Sequence, residues 1–72
     1  MKVTDLNTVT QTFSYSDNST SNIPFYGFSG PVLTLLNGAY GVQLAFNNQG
    51  DTFFYRRKTL NNWFPWKTIS LT

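Results

Sequence analysis

Val32-Leu33-Thr34-Leu35-Leu36-Asn37-Gly38-Ala39-Tyr40-Gly41-Val42-Gln43-Leu44-Ala45-Phe46 is the stretch that decides how this chain folds. Two apolar runs flank Asn37-Gly38, a pair that tolerates the positive φ of a tight β-turn, so the sequence predicts a hairpin. Downstream of the turn, Tyr40, Val42, Leu44 and Phe46 alternate with Gly41, Gln43 and Ala45. That period of two marks a strand with one bulky face, which the pattern assigns to the core.

The same reading extends in both directions. Upstream, Thr10 to Ser16 puts Phe13 and Tyr15 on one face, and Asp17-Asn18-Ser19-Thr20-Ser21-Asn22 then opens a long surface loop broken by Ile23-Pro24, Gly27 and Gly30-Pro31. Downstream, Asn47 to Asp51 makes a turn into a strand with Phe53 and Tyr55 on one face and Phe54 and Arg56 on the other. A polar break from Lys58 to Asn62 leads to Trp63–Ile69, where Pro65 cannot donate to a ladder, so that strand is an edge or is bulged there. The predicted fold is all-β: one domain over residues 1–72, a small antiparallel meander, sandwich-like, of four or five short strands. Its predicted core is Phe13, Leu33, Leu35, Val42, Leu44, Phe46, Phe53, Tyr55, Trp66 and Ile69.

Composition agrees and sets limits. Glu is absent and Thr, Asn, Ser, Phe and Tyr dominate, which disfavours helix. A lone domain of 72 residues buries roughly 60% of its unfolded surface and is marginally stable. Cysteine and histidine are both absent, so disulfides are excluded, a metal site is nearly so, and self-association is the support that remains. No apolar run approaches the roughly 20 residues of a membrane helix, and the start does not read as a signal peptide. The net charge of +2 is carried by few charged residues, too sparse for a phosphate-binding surface.

Catalysis is not expected either. Three Asp residues, with no Glu, His or Cys, leave almost no general base or nucleophile partner. Asp17 and Asp51 as a hydrolytic pair compete with an ordinary role in turns, which the sequence favours.

One combination of elements goes beyond periodicity: Asp5-Leu6-Asn7-Thr8, a strand, a Gly/Pro-rich loop, the apolar hairpin, and Gly50-x-x-Phe53-Phe54-Tyr55-Arg56 leading to Trp63-x-x-Trp66-x-x-Ile69. In this the chain resembles, over nearly its whole length, the small C-terminal modules of bacteriophage tail fibres and tailspikes of the pyocin-knob type. The resemblance implies a compact β domain at the distal tip of a homotrimeric fibre on the virion, extracellular, attached to its parent fibre chain and recognising host-surface glycans. Two departures stand out. The loop from Asp17 to Gly30 carries Ile23, Phe25, Tyr26 and Phe28 where such modules are small and polar, and the chain starts at Met1 with no shaft, which leaves open an excised piece or a separate product.

Residue roles follow from these readings. Trp63, Phe54 and Arg56, with Asn61 and Asn62, form the expected glycan-binding group: rings for stacking on sugar C–H faces, a planar donor fork and amides for hydroxyls. Opposite parity says that Trp63 and Trp66 cannot both be buried on one face; Trp66 stands at the family position three residues before Ile69, so the resemblance implies that it is core, which leaves Trp63 for the ligand surface. Phe25, Tyr26 and Phe28 exceed what so small a core holds and are expected at a subunit interface, most simply of a trimer. No cofactor is expected. Arg56-Arg57-Lys58 beside aromatics also resembles a single-strand nucleic-acid platform, but alternation splits the two arginines between faces, which argues against that partner. The expected function is thus non-catalytic host-surface recognition; the alternative is a structural trimerisation or capping module of the fibre with no ligand.

Overall fold

The hairpin signal closes as a two-residue turn. In the computed structural model, which describes residues 2–50 and 52–70, Asn37 pairs with Tyr40 across Gly38-Ala39. Only Gly38 of the two is left-handed, at φ 62°, the pattern of a type II′ turn with Gly first. The strands are β1 (Phe13–Ser16), β2 (Gly30–Asn37), β3 (Tyr40–Phe46), β4 (Thr52–Thr59), β5 (Asn62–Trp63) and β6 (Lys67–Ser70). They form one curled antiparallel sheet in the order β1-β2-β3-β4-β5, and β6 also pairs with β4. The fold is all-β, as the sequence predicts.

β5 and β6 are one predicted strand interrupted by a bulge. Trp63 lies opposite Lys58 and Lys67 opposite Tyr55, so four steps on one strand match three on the other. The extra residue falls in Phe64-Pro65-Trp66, where Pro65 has no N–H to give the ladder. A bulge of one residue reverses the alternation beyond it. Trp63 and Trp66 therefore project from the same face of the sheet, against the expectation from parity.

The register also shows which face is covered. Ser14, Val32, Ala45 and Phe54 line up across four strands, and Thr34, Gln43 and Arg56 form the next row, all buried. Over this inner face lie the N-terminal segment and the 17–29 loop, which contribute Leu6, Val9 and Phe28 to the apolar core in place of a second sheet. Backbone bonds hold the cover together: Val3 N–H to Tyr15 O (2.9 Å), Ser21 N–H to Thr4 O (2.8 Å) and Leu6 N–H to Ser21 O (3.1 Å). Within the sheet, β2 and β3 meet closely at Gly30, where a Cβ would stand 1.8 Å from the carbonyl oxygen of Phe46.

This corrects the predicted core. Phe13, Leu33, Leu44 and Tyr55 form one cross-strand row of the opposite, outer face, Leu35 and Val42 a second, and Phe46, Phe53 and Ile69 a third. Among the described residues nothing covers this face: Phe13 is 78% exposed, Leu35 and Phe46 are exposed, and the others are half-buried by their neighbours. Of the predicted core, Trp66 alone packs against the true one. The alternation is as read, but the cover lies on the small, polar side, because the small side chains there admit a second layer.

The amide this buries is bonded at both ends. Gln43, fully buried, donates from Nε2 to Leu6 O (2.8 Å) and Thr34 Oγ1 (3.3 Å) and accepts from Arg56 Nε (2.7 Å). The side chain of one glutamine thus joins the sheet to its cover, the satisfaction that burial of an amide requires.

Candidate functional site

Arg56 is the centre of the most developed site on the molecule. It points from β4 to the covered face, 5% exposed, and the bulge brings both tryptophans to it: its guanidinium carbon lies 4.4 Å from the Trp63 ring centroid and 4.6 Å from that of Trp66. A cation over two indole rings is stabilised by their quadrupoles, more strongly as water is removed. Each indole N–H is also engaged, Trp63 Nε1 to Asn7 O (3.2 Å) and Trp66 Nε1 to Asn22 O (2.9 Å). The two rings thereby fasten both parts of the cover to the end of the sheet.

Burial pushes the Arg56 pKa down to about 10, partly offset by the field of Asp5, and the group stays cationic at neutral pH. Asp5 itself lies below the usual carboxylate range because it accepts from the Asn7 backbone N–H (2.9 Å) and from Asn22 Nδ2 (2.7 Å). Among the described residues the one ion pair joins Lys2 to Asp17, at 3.1 Å, so no carboxylate pairs with Arg56. Its Nη2 is sealed from solvent with no acceptor.

A cleft of about 310 Å³ opens beside this group, lined by Asn7, Asn22, Ile23, Phe64 and Pro65 together with Arg56, Trp63 and Trp66. Its volume falls at the lower end of the range for small-molecule sites. Two other hollows lie elsewhere, one of about 270 Å³ along the Lys2–Gln11 segment and a larger, more open one of about 530 Å³ around Asp17, Asn18 and Ser29. Neither is lined by a buried donor without an acceptor.

Of the expected ligand residues, then, Arg56 and Trp63 meet, joined by Trp66. Phe54 does not: it belongs to the core, tilted against Phe25 (5.4 Å) and edge-on to Phe28 (6.0 Å). Asn61 and Asn62 sit at the β4–β5 hairpin tip, outside the cleft; Asn61 N–H donates to Ala39 O (3.0 Å), tying the two hairpin tips together, and Asn62 Nδ2 donates to Leu60 O. The expected interface trio also separates. Phe28 is fully buried, Phe25 packs on it while keeping one side in solvent, and Tyr26 alone stands clear, 88% exposed. The Asp17–Asp51 pair cannot be assembled here: Asp51 lies outside the described residues, and Asp17 is engaged by Ser19 and Lys2.

Sequence reasoning missed Asn7, Asn22, Ile23 and Pro65. The signal for Asn7 and Asn22 is present but non-local: each is a loop residue whose carbonyl meets an indole more than forty positions away.

Comparison of the chain with protein-family models, with curated proteins and with solved structures returns no match.

Proposed function

We propose that this chain is a non-catalytic recognition module that works as a homo-oligomer, most simply a trimer, and binds host-surface glycans at the tip of a phage tail fibre or spike. The observation that carries the reading is the uncovered outer face. Its three apolar rows hold four, two and three residues, a footprint of roughly 300 Å² at about 4.8 Å per strand and 6.8 Å per row. That lies at the lower end of the largest patches of single-chain proteins, about 300–600 Å², and would form the centre of an interface needing about 800 Å² per partner. A second copy of the chain is the occupant that a marginal domain without crosslinks calls for. The fibre context rests on the sequence resemblance, and the ligand role on the Arg56 cleft.

A specific observation favours the alternative, a trimerisation or capping module with no ligand. Both indole N–H groups and one face of each ring are engaged within the chain. Mass measurement in solution followed by a polysaccharide array separates these readings. The proposal expects a trimeric mass and saturable glycan signal; a trimer silent on every glycan selects the clamp, and a monomer at micromolar concentration removes both.

A further inference from the structure

We infer that the Arg56 cleft binds the carboxylate of an acidic sugar, a uronic-acid-type residue, as opposed to a neutral one. This rests on the glycan-recognition reading above and specifies its ligand class.

The guanidinium can donate five N–H bonds. Within the chain Nε has an acceptor, Gln43 Oε1, whereas Nη2 is enclosed without one. Leaving a buried charged donor unpaired is costly, and structures retain such groups where something else completes them. Ring π-systems attract the guanidinium charge but accept none of its in-plane N–H bonds as an oxygen does, so the demand left at Nη2 suits a planar, two-oxygen acceptor. The neighbouring carboxylate does not meet it. Asp5 Oδ1 is committed to Asn7 and Asn22, and no oxygen of Asp5 pairs with the guanidinium.

Three further features select a sugar acid. The cleft, at about 310 Å³, is of monosaccharide size, with Ile23 and Pro65 offering apolar contact to C–H faces and the exposed Asn7 amide offering a donor and an acceptor to hydroxyls. The net charge of +2 adds an attractive field for an acidic polymer. Nη2 is enclosed in the unliganded chain, so the proposed binding includes a parting of side chains beside the segment 64–66, which lies outside the strands.

The test uses the two tryptophans as reporters, because the chain has only two indole N–H signals and both flank Arg56. In ¹⁵N-labelled whole protein at constant ionic strength, glucuronate should shift both signals saturably, while glucose at equal concentration should not. Acetate and a short peptide carboxylate should each bind at least tenfold more weakly. Arg56→Lys should abolish the response, but that variant can fail to fold. Asn7→Asp avoids the problem, because residue 7 is exposed and the change places a rival carboxylate at the rim; it should weaken glucuronate at least tenfold without lowering Tm. Equal responses to glucuronate and glucose, equal responses to glucuronate and acetate or peptide, or indifference to Asn7→Asp would each overturn the inference. Should the array show neutral glycans alone, the acidic assignment fails and glycan recognition stands; no glycan signal of any kind removes both.

Discussion

Arg56 Nε and Gln43 Oε1, register partners on adjacent strands, meet at 2.7 Å inside the protein, and the same glutamine carries the bond onward to the Leu6 carbonyl. The amide of Gln43 is therefore one of the ties between cover and sheet, and the buried one. Replacing Gln43 with Leu keeps approximate volume but strands a guanidinium donor and a buried carbonyl. The expected loss is about 2–4 kcal/mol in denaturant unfolding, since each orphaned group costs about 1–3 kcal/mol. A loss under half of that would mean water replaces the amide.

The two tryptophans should behave alike. Both clamp Arg56 and both hold a cover carbonyl, so Trp63→Ala and Trp66→Ala should each destabilise by about 2–3 kcal/mol, below the roughly 3–5 kcal/mol of a fully enclosed large aromatic. Because they share Arg56, the double variant should lose less than the sum. Stability unchanged in Trp63→Ala, with loss confined to Trp66→Ala, would restore the split of roles that strand parity implies.

At the β4–β5 tip, Leu60 and Asn61 take φ of 51° and 66°. Left-handed backbone costs a side chain such as Leu roughly 1–2 kcal/mol, and the exposed Leu60 recovers little of it by burial. Leu60→Gly should raise thermal stability by about 1 kcal/mol. A fall instead would show that the Leu side chain has a partner in the working assembly.

Acid should loosen the cover before the sheet. Asp17 is held down to about 2 from its ordinary 3.8 by the Ser19 hydroxyl first, then the Ser19 amide and Lys2, and Asp5 is lowered by the Asn7 amide and Asn22. Both carboxyls are depressed in the folded state, so their contribution is whole above the unfolded value and disappears as pH falls from about 4 towards 2. Amide exchange of Val3, Leu6, Thr20 and Ser21 should speed up across that window while β2–β3 amides stay protected. Uniform exchange across the chain would count against it.

Leu35→Asp tests the outer face. The residue is exposed in the single chain, so unfolding of the protomer should change little, within about 1 kcal/mol. Sedimentation should nevertheless show the oligomer shifted to protomer, because a buried carboxylate would have no partner there. An oligomer of unchanged mass would place the contact elsewhere.

Much of the architecture could be read from the chain. Alternation and turn chemistry gave the strands, the hairpin at Gly38 and the irregularity at Pro65, all local signals. The choice of covered face could not be read, because alternation is symmetric: Leu33 opposite Leu44 looks the same whether the chain or another molecule lies above it. What decides the matter is the fit of Leu6, Val9 and Phe28 onto the row of Ser14, Val32, Ala45 and Phe54, a relationship between distant segments. The site shows the same division. Arg56 and Trp63 were recognisable as chemistry, but their meeting with Trp66 depends on a single inserted residue that inverts parity.

That insertion has a consequence for growth. On one side of the sheet the ladder halts at Pro65; on the other, Lys2 already bridges to Tyr15 along β1. Among the described residues neither lateral margin is a long unbroken strand, which disfavours the docking of further chains strand by strand into a ribbon. The proposed contact between copies would then fall to the broad side of the sheet.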